Sequence, residues 1–318
     1  MVPILAIVVI VKGAYVRLSD AGLGCPDWPG CYGHLVVPNA NTISNNQALS
    51  ARPLVRGKAW REMLHRYLAS TLGFAILLLA ALAWIQRASL KPSVTVWWLV
   101  PLVVLQGMLG MWTVTLLLKP LIVVGHLLGG LTIAALSWWN LLEIRHFPRQ
   151  RGSGRLRIFA GVVIIVLALQ IFLGGWTSSN YAALACTDFP KCQGQWWPTI
   201  DLKNAFVLWR GLGINYEFGV LGTPARTAIH LCHRYWAAVV STLMVALILY
   251  TLRVADAHGK RIAWCILGLL SVQISLGVSN VLGGLPLLVA VMHNAVAALL
   301  LLSVVTLLRY STSSFNHG

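Results

Sequence analysis

Long apolar runs dominate this chain, and polar segments of two lengths separate them. Because a membrane helix needs about 20 apolar residues, the pattern predicts eight spans. Two connections, 19–61 and 178–226, are long, and the others are short. The first span is expected to be short because Lys12 interrupts it. The predicted spans are residues 2–18, 63–86, 94–118, 121–143, 157–177, 227–252, 262–281 and 286–308.

The second half of the chain repeats the spacing of the first. In each half a glycine is followed after 12 positions by a cysteine and after 6 more by a second cysteine. Two histidines follow, 61 positions apart in the first half and 60 in the second. The matching positions are Gly13/Gly174, Cys25/Cys186, Cys31/Cys192, His65/His233 and His126/His293.

This repeat predicts the fold. Four spans per half is an even number, so both halves have the same orientation and are related by a pseudo-twofold axis along the membrane normal. We therefore predict an all-α membrane protein whose eight transmembrane helices form two pseudo-twofold-related four-helix bundles. The expected domains are residues 1–150 and 151–318.

Composition and charge placement support a membrane protein. The chain is 58% hydrophobic and only 10% charged, whereas soluble domains carry about 25% charged residues. The net charge of +16 could suggest nucleic acid, but the basic residues lie in short loops, including Arg87, Lys91 and the cluster at 145–157. Under the positive-inside rule that side is cytoplasmic. Both termini are then inside, both long loops are outside, and no nucleic-acid partner is expected.

The four repeated histidines are the candidate chemistry. His65 and His126 are predicted near the outer ends of spans two and four, which run in the same direction, and His65 is expected in the first turn of its span. His233 and His293 occupy the matching places in spans six and eight. Two imidazoles from different helices at one depth can be the axial ligands of one haem iron.

Other interpretations of the histidines are weaker. A single intramembrane histidine usually makes a hydrogen bond between helices, but that account does not explain a repeated quartet. Zinc prefers three or four protein ligands, and each half offers only its pair plus Glu62 or His230. A haem also carries propionates, for which the neighbouring Arg66 and Arg234 are candidate partners because arginine pairs with carboxylates.

The two halves differ at one informative position. Glu62 aligns with His230, each one helical turn before a candidate ligand and on the same helix face. An acid beside a bound reactive group can move a proton. The alternative is a solvated glutamate paired with Arg61 or Arg66. On the first interpretation the N-terminal half is the reactive site and the C-terminal half carries electrons.

These features together resemble the haem A synthase family over essentially the whole chain. The resemblance rests on the segment RLSDAGLGC at 17–25, the loop that Cys25 and Cys31 bound, the motif Glu62-x-x-His65-Arg66, the histidine quartet and eight spans. Members of that family are oxidoreductases that convert a methyl group of haem O to the formyl group of haem A, which serves cytochrome oxidase assembly.

The resemblance implies a role for each half. The N-terminal half would take the substrate haem O between His65 and His126, with Glu62 required for activity. The C-terminal half would hold the cofactor haem b between His233 and His293 as an electron relay. The implied chemistry is two successive hydroxylations of the C8 methyl. The implied location is a bacterial inner membrane, with haem O synthase and an electron acceptor as partners.

The cysteine pairs lie in the loops that are predicted to face the oxidising outer side, where disulfides persist. Two interpretations stay open. The pairs Cys25/Cys31 and Cys186/Cys192 could be structural loop closures, or the first could be a redox-active pair beside the substrate half. Covalent haem attachment is not expected because no Cys-x-x-Cys-His motif is present.

Three competing functions account for less of the sequence. A di-haem b-type electron-transfer cytochrome explains the histidines but gives Glu62 no role. A transporter with a parallel repeat predicts a polar site at the membrane midplane, whereas the ionisable residues here cluster near one surface. A purely structural assembly subunit leaves the histidine quartet unexplained.

Overall fold

A computed structural model of the protein describes residues 1–39, 52–87, 93–150 and 154–312. Lys91 and Arg151, two of the basic residues used above for orientation, lie outside these ranges. Within them the secondary structure is helical, with two isolated bridges and no β-strand. The long helices are α1 Val2–Leu18, α2 Arg56–Ile85, α3 Val94–Thr115, α4 Pro120–Ile144, α5 Gly154–Ser179, α6 Thr223–Val254, α7 Ala257–Leu282 and α8 Leu287–Tyr310.

Seven of these helices, α2 to α8, are long and apolar enough to cross a membrane. Helices are the natural solution there because hydrocarbon offers the backbone no hydrogen-bond partners outside the segment itself. The first helix is shorter, with 17 residues, which corresponds to a length of about 25 Å. The chain is therefore a multi-pass, all-helical membrane protein.

Four helices, α2, α5, α6 and α7, begin three or more residues before the spans that their apolar runs predict. Helix α2 starts at Arg56 instead of residue 63, and α6 starts at Thr223 instead of residue 227. The additional turns carry polar side chains, so hydropathy alone could not include them. The expectation that His65 lies in the first turn is therefore wrong. His65 lies about two and a half turns into α2.

The helices are packed in the same order in both halves. Helix α1 contacts α2 and α4, and α3 contacts α2 and α4. In the second half, α5 contacts α6 and α8, and α7 contacts α6 and α8. The halves meet where α4 and α8 pack against each other, with α1 also against α8 and α5 also against α4.

Two disulfide loops of the same shape follow α1 and α5. Cys25 is bonded to Cys31, and Cys186 is bonded to Cys192. A carboxylate braces each loop by accepting two backbone N–H bonds. In the second loop Asp188 accepts from Gln193 at 2.7 Å and from Gly194 at 2.9 Å.

The first loop is braced in the same way. Asp27 accepts hydrogen bonds from the backbone nitrogens of Tyr32 at 2.6 Å and Gly33 at 2.8 Å. Gly33 and its counterpart Gly194 have φ values of 78° and 74°, in the left-handed region that glycine adopts without steric cost. The repeat seen in the sequence is therefore also a repeat of local structure.

The second long loop reaches back to the connection between α3 and α4 of the first half. The ammonium of Lys119, which is only 2% exposed, donates to the carbonyl of Gly211 and lies 3.5 Å from the ring centre of Trp209. The backbone nitrogen of Tyr216 donates to the carbonyl of Leu117 at 3.0 Å. This loop therefore covers the connection between α3 and α4.

The carboxylate that braces each disulfide loop is expected to slow reduction of the disulfide. Backbone hydrogen bonds from Gly194 and Gln193 hold the pKa of Asp188 below its ordinary value. A lowered pKa means that the brace is present above the ordinary carboxyl range near pH 4 and is lost as the pH falls through the lowered value. We expect Asp188→Ala to open the loop, so that a reductant cleaves Cys186–Cys192 several-fold faster.

The measurement is thiol labelling after timed exposure of the purified protein to a mild reductant, between about pH 5 and pH 8. Asp201→Ala is the matched control, since Asp201 accepts from Asn204 outside the disulfide loop and its removal should leave the rate unchanged. Equal rates for wild type and Asp188→Ala would show that the carboxylate does not hold the loop.

Candidate functional site

Two of the predicted ligands face each other in the first half. The rings of His65, from α2, and His126, from α4, have centroids 6.5 Å apart and are nearly perpendicular, at 89°. A metal–imidazole bond is about 2 Å long, so two imidazoles on opposite sides of one metal ion have centroids about 6 Å apart. The observed separation therefore fits a shared metal ion at the centre of a porphyrin.

A cavity of about 430 Å³ surrounds this pair. Helices α1 to α4 supply most of its wall, which is largely apolar and includes Val9, Leu72 and Ile133. The Nδ1 atoms of His65 and His126 are buried and have no hydrogen-bond partner among the described residues. An apolar cavity with unpaired imidazoles fits a large, flat, metal-containing ligand.

Each of the four histidine rings is packed against a glycine on the preceding helix. A methyl group added at that glycine would lie only 3.0 to 3.4 Å from the ring, so a larger residue would push the imidazole aside. The pairs are Gly13 with His65, Gly110 with His126, Gly174 with His233 and Gly277 with His293. The glycines therefore set where the rings can lie.

Sequence reasoning missed this role of the glycines, although a signal was present. The pattern Gln-x-x-x-Gly occurs at 106–110, 170–174 and 273–277, and it is typical of hydrogen bonding between closely approaching helices. The structure shows that the bonding partners are the candidate ligands themselves. The glutamine amides contact the histidines as follows: Gln106 the carbonyl of His126, Gln170 both the ring and the carbonyl of His233, and Gln273 the ring of His293.

Glu62 is held at the rim of the first cavity. Its side chain is 5% exposed, and the residue lines the cavity. One carboxylate oxygen is 2.5 Å from Arg66, and the other accepts from the backbone nitrogen of Cys25 at 2.9 Å. The glutamate is therefore paired and directed by both its own helix and the disulfide loop.

Arg66 also ties the loop to α2. In addition to its ion pair with Glu62, its guanidinium donates to the backbone carbonyls of Asp27, Pro29 and Gly30. Three of the loop's carbonyls thus converge on one side chain. The disulfide loop, Glu62 and the candidate ligand His65 are connected through two consecutive turns of one helix.

The second half repeats this clamp with a histidine in place of the acid. The two ring nitrogens of His230 lie 3.3 Å from the backbone nitrogen of Cys186 and 3.2 Å from Nε of Arg234, and a neutral imidazole accepts a hydrogen bond from one of these two donors at a time. Arg234 also donates to the carbonyls of Lys191 at 3.0 Å and Cys186 at 2.9 Å. The clamp is therefore common to both halves, and only the first half has a carboxylate in it.

Comparison with known proteins finds relatives that match this chain over nearly its full length. Residues 1–305 match the COX15-CtaA family, described as cytochrome oxidase assembly proteins. The chain is 45% identical over 311 residues to a haem A synthase of Shewanella oneidensis, covering 96% of this chain and 92% of that protein.

More distant relatives carry the same name. A haem A synthase of Rhizorhabdus wittichii is 28% identical over 332 residues, covering 95% of this chain and 89% of that protein. A haem A synthase of Halalkalibacterium halodurans is 26% identical over 307 residues, covering 92% of this chain and 89% of that protein. The match spans both halves, including every residue of the site described above, and the chain belongs to the COX15-CtaA family of cytochrome oxidase assembly proteins.

Proposed function

We propose that this protein acts as a haem A synthase, an oxidoreductase that converts the C8 methyl group of haem O to a formyl group by successive hydroxylations. The observation that carries the proposal is the pair His65 and His126, which face each other at 6.5 Å inside an apolar cavity. The relatives named haem A synthase support it over the whole chain. The substrate would lie between these two imidazoles.

Glu62 is the proposed catalytic group. Arg66 and the backbone nitrogen of Cys25 hold its carboxylate at the cavity rim, where it can face a substituent of a bound porphyrin. A fixed carboxylate in an apolar cavity stabilises developing positive charge or accepts a proton. We assign it one of these two tasks at the methyl carbon. Haem supplies the redox chemistry when bound, and the protein supplies binding, orientation and electrostatics.

The C-terminal half is the proposed haem b site, with His233 and His293 as ligands and the haem as an electron relay. Support comes from the shared packing, since both rings lie against glycines as their counterparts do. Gln170 and Gln273 contact the rings of these two ligands, as partners that orient metal ligands commonly do. His230 replaces the acid there, which favours electron transfer over proton chemistry.

The proposed architecture is two four-helix bundles, residues 1–150 and 151–318, with α1 as an eighth membrane span. The equal packing order in the two halves supports it. So does a contact between repeat-equivalent positions: Arg17 donates to the carbonyl of Ser178, 161 positions later, which is also the interval between the matching cysteines. Contacts between equivalent positions are expected close to a twofold axis.

The proposed orientation puts both termini in the cytoplasm of a bacterial cell and the disulfide loops outside the inner membrane. It rests on the basic residues at the inner helix ends, such as Arg87, Arg145 and Arg253. The proposed partners besides haem O and lipid are haem O synthase, which would deliver the substrate, and an electron acceptor. Arg66 and Arg234 remain candidate propionate contacts.

Extraction of the bound haems tests the two sites together. We expect the wild-type protein, expressed with a source of haem O, to contain haem b and haem O and to produce haem A. His233→Ala and His293→Ala should lose haem b, and His65→Ala and His126→Ala should lose haem O and haem A while keeping haem b. Chromatography of the extracted pigments is the measurement. Haem b alone in wild type, in both halves, would instead identify a di-haem electron-transfer cytochrome.

Substitution of the catalytic group separates binding from chemistry. We expect Glu62→Gln to lower the rate of haem A formation by about 100-fold or more, because general acid–base groups contribute about that much, while the absorbance spectrum still shows bound haem. Glu143→Gln is the control, since Glu143 lies at the inner end of α4 beside Arg309. Wild-type turnover in Glu62→Gln would remove this residue from the mechanism.

A further inference from the structure

The cavity of the first half contains a cation that neither the histidine pair nor the Glu62 clamp uses. Arg17, in the last turn of α1, lies among the residues that line the cavity. Its side chain is 15% exposed, and its Nε atom is buried without a hydrogen-bond partner in the part of the chain that the structure describes. A buried donor left unpaired is unfavourable unless a ligand completes it.

The position of the guanidinium is nevertheless fixed by its other contacts. One terminal nitrogen donates to the carbonyl of Ser178 at 2.5 Å, and the group stacks 4.2 Å from the ring centre of Tyr181. Its ion pair with Asp20 is long, at 3.8 Å, and that carboxylate is 39% exposed, so it neutralises Arg17 only weakly. Arg17 is therefore held in place from the second half while its charge stays largely available.

The positive charge of Arg17 is not balanced by any of the other charged groups that line the cavity. Arg66 is paired with Glu62 and bound by three loop carbonyls, so these two groups largely cancel. In the second half the repeat places neutral Ser178 where Arg17 stands. The extra cation is thus specific to the half proposed to take the substrate, and it lies one helical turn outward from Gly13, which touches the ring of His65.

We propose that Arg17 binds a propionate carboxylate of the porphyrin in the first cavity, and that it distinguishes the substrate site from the haem b site. This inference rests on the proposed function and adds to it a substrate-binding residue. Arginine suits the task because its planar donors match a carboxylate. The Nε atom that lacks a partner supplies one hydrogen bond, and a terminal nitrogen supplies the second.

The test compares a porphyrin that has carboxylates with one in which they are masked. Protohaem and its dimethyl ester are titrated into the purified full-length protein and followed by absorbance. The absorbance change that is present in wild type and lost in His126→Ala is assigned to binding at the first site. Because a hydrogen bond to a charged group changes affinity by about 10- to 100-fold, wild type should prefer the free acid by that factor.

Arg17→Gln should reduce the preference to about threefold or less by removing the charge-assisted bond, and Arg17→Lys should keep part of it. Arg61→Gln is the matched control, because Arg61 is on the same side, packs near the ring of Tyr15 and does not line the cavity. A full preference in Arg17→Gln would overturn the proposal. So would an equal loss of affinity for acid and ester, which would show a structural role only.

The outcome is separable from that of the proposed function. If wild type shows the preference but makes no haem A from haem O, the enzymatic assignment fails and the carboxylate site stands. If wild type makes haem A and Arg17→Gln keeps the preference, the enzymatic assignment stands and Arg17 is excluded as the propionate partner.

A second inference comes from a different observation, the support of the histidine rings. Among the described residues a glutamine contacts the rings of His233 and His293, whereas Gln106 contacts only the backbone carbonyl of His126. At His65 the repeat places Val9 where Gln170 contacts the ring and carbonyl of His233. We infer that Gln170 is a positioning residue for a retained porphyrin, and that Val9 leaves His65 free to turn so that substrate and product can exchange.

Reciprocal substitutions test this inference through release rates. Transfer of haem to excess apomyoglobin is timed for each site. Loss of a group that orients a metal ligand typically weakens binding by about 10- to 100-fold, so Gln170→Val should speed release from the second site by a comparable factor. Val9→Gln should slow release from the first site. Val9→Leu is the control for a larger side chain without an amide. If Val9→Gln slows release from the first site no more than Val9→Leu does, the inference fails.

Discussion

An imidazole that is to meet a metal ion inside a helix bundle needs space beside the backbone of the next helix. In this protein glycine provides that space four times, and an added methyl group would crowd each ring at 3.0 to 3.4 Å. The constraint links α1 to α2, α3 to α4, α5 to α6 and α7 to α8. It therefore fixes both the depth of the rings and the pairing of the helices.

The two halves share this packing but differ at three positions close to the candidate histidine ligands or the cavity. The first half has Val9, Arg17 and Glu62 where the second has Gln170, Ser178 and His230. Arg17 and Glu62 add charged groups to the first cavity, and Val9 lacks the amide with which Gln170 contacts the ring of His233. These differences agree with the proposed division of the two halves into a substrate site and a haem b site.

The first disulfide loop takes part in this difference because it contacts the candidate catalytic residue directly. The backbone nitrogen of Cys25 donates to Glu62, and three neighbouring carbonyls accept from Arg66. Closing the loop through Cys31 limits how far these groups can move. A disulfide that is remote from the histidines in sequence thus helps to position the carboxylate that lies beside one of them.

The apolar pattern and the repeat by themselves determined the helical membrane class, the histidine quartet, the two cysteine loops and the Glu62/His230 difference. These features depend on local hydropathy and on spacing along the chain, which a sequence displays directly. The helix starts at Arg56 and Thr223 were not visible in this way, because polar turns continue a helix beyond its apolar run.

Only the tertiary structure decided which groups meet. It paired each glycine with a histidine, bound Arg66 to loop carbonyls, and left Arg17 at the cavity with an unpaired nitrogen. These contacts join residues on different helices, up to 161 positions apart in the case of Arg17 and Ser178. Side-chain packing between helices sets such contacts, and hydropathy along one chain carries no information about it.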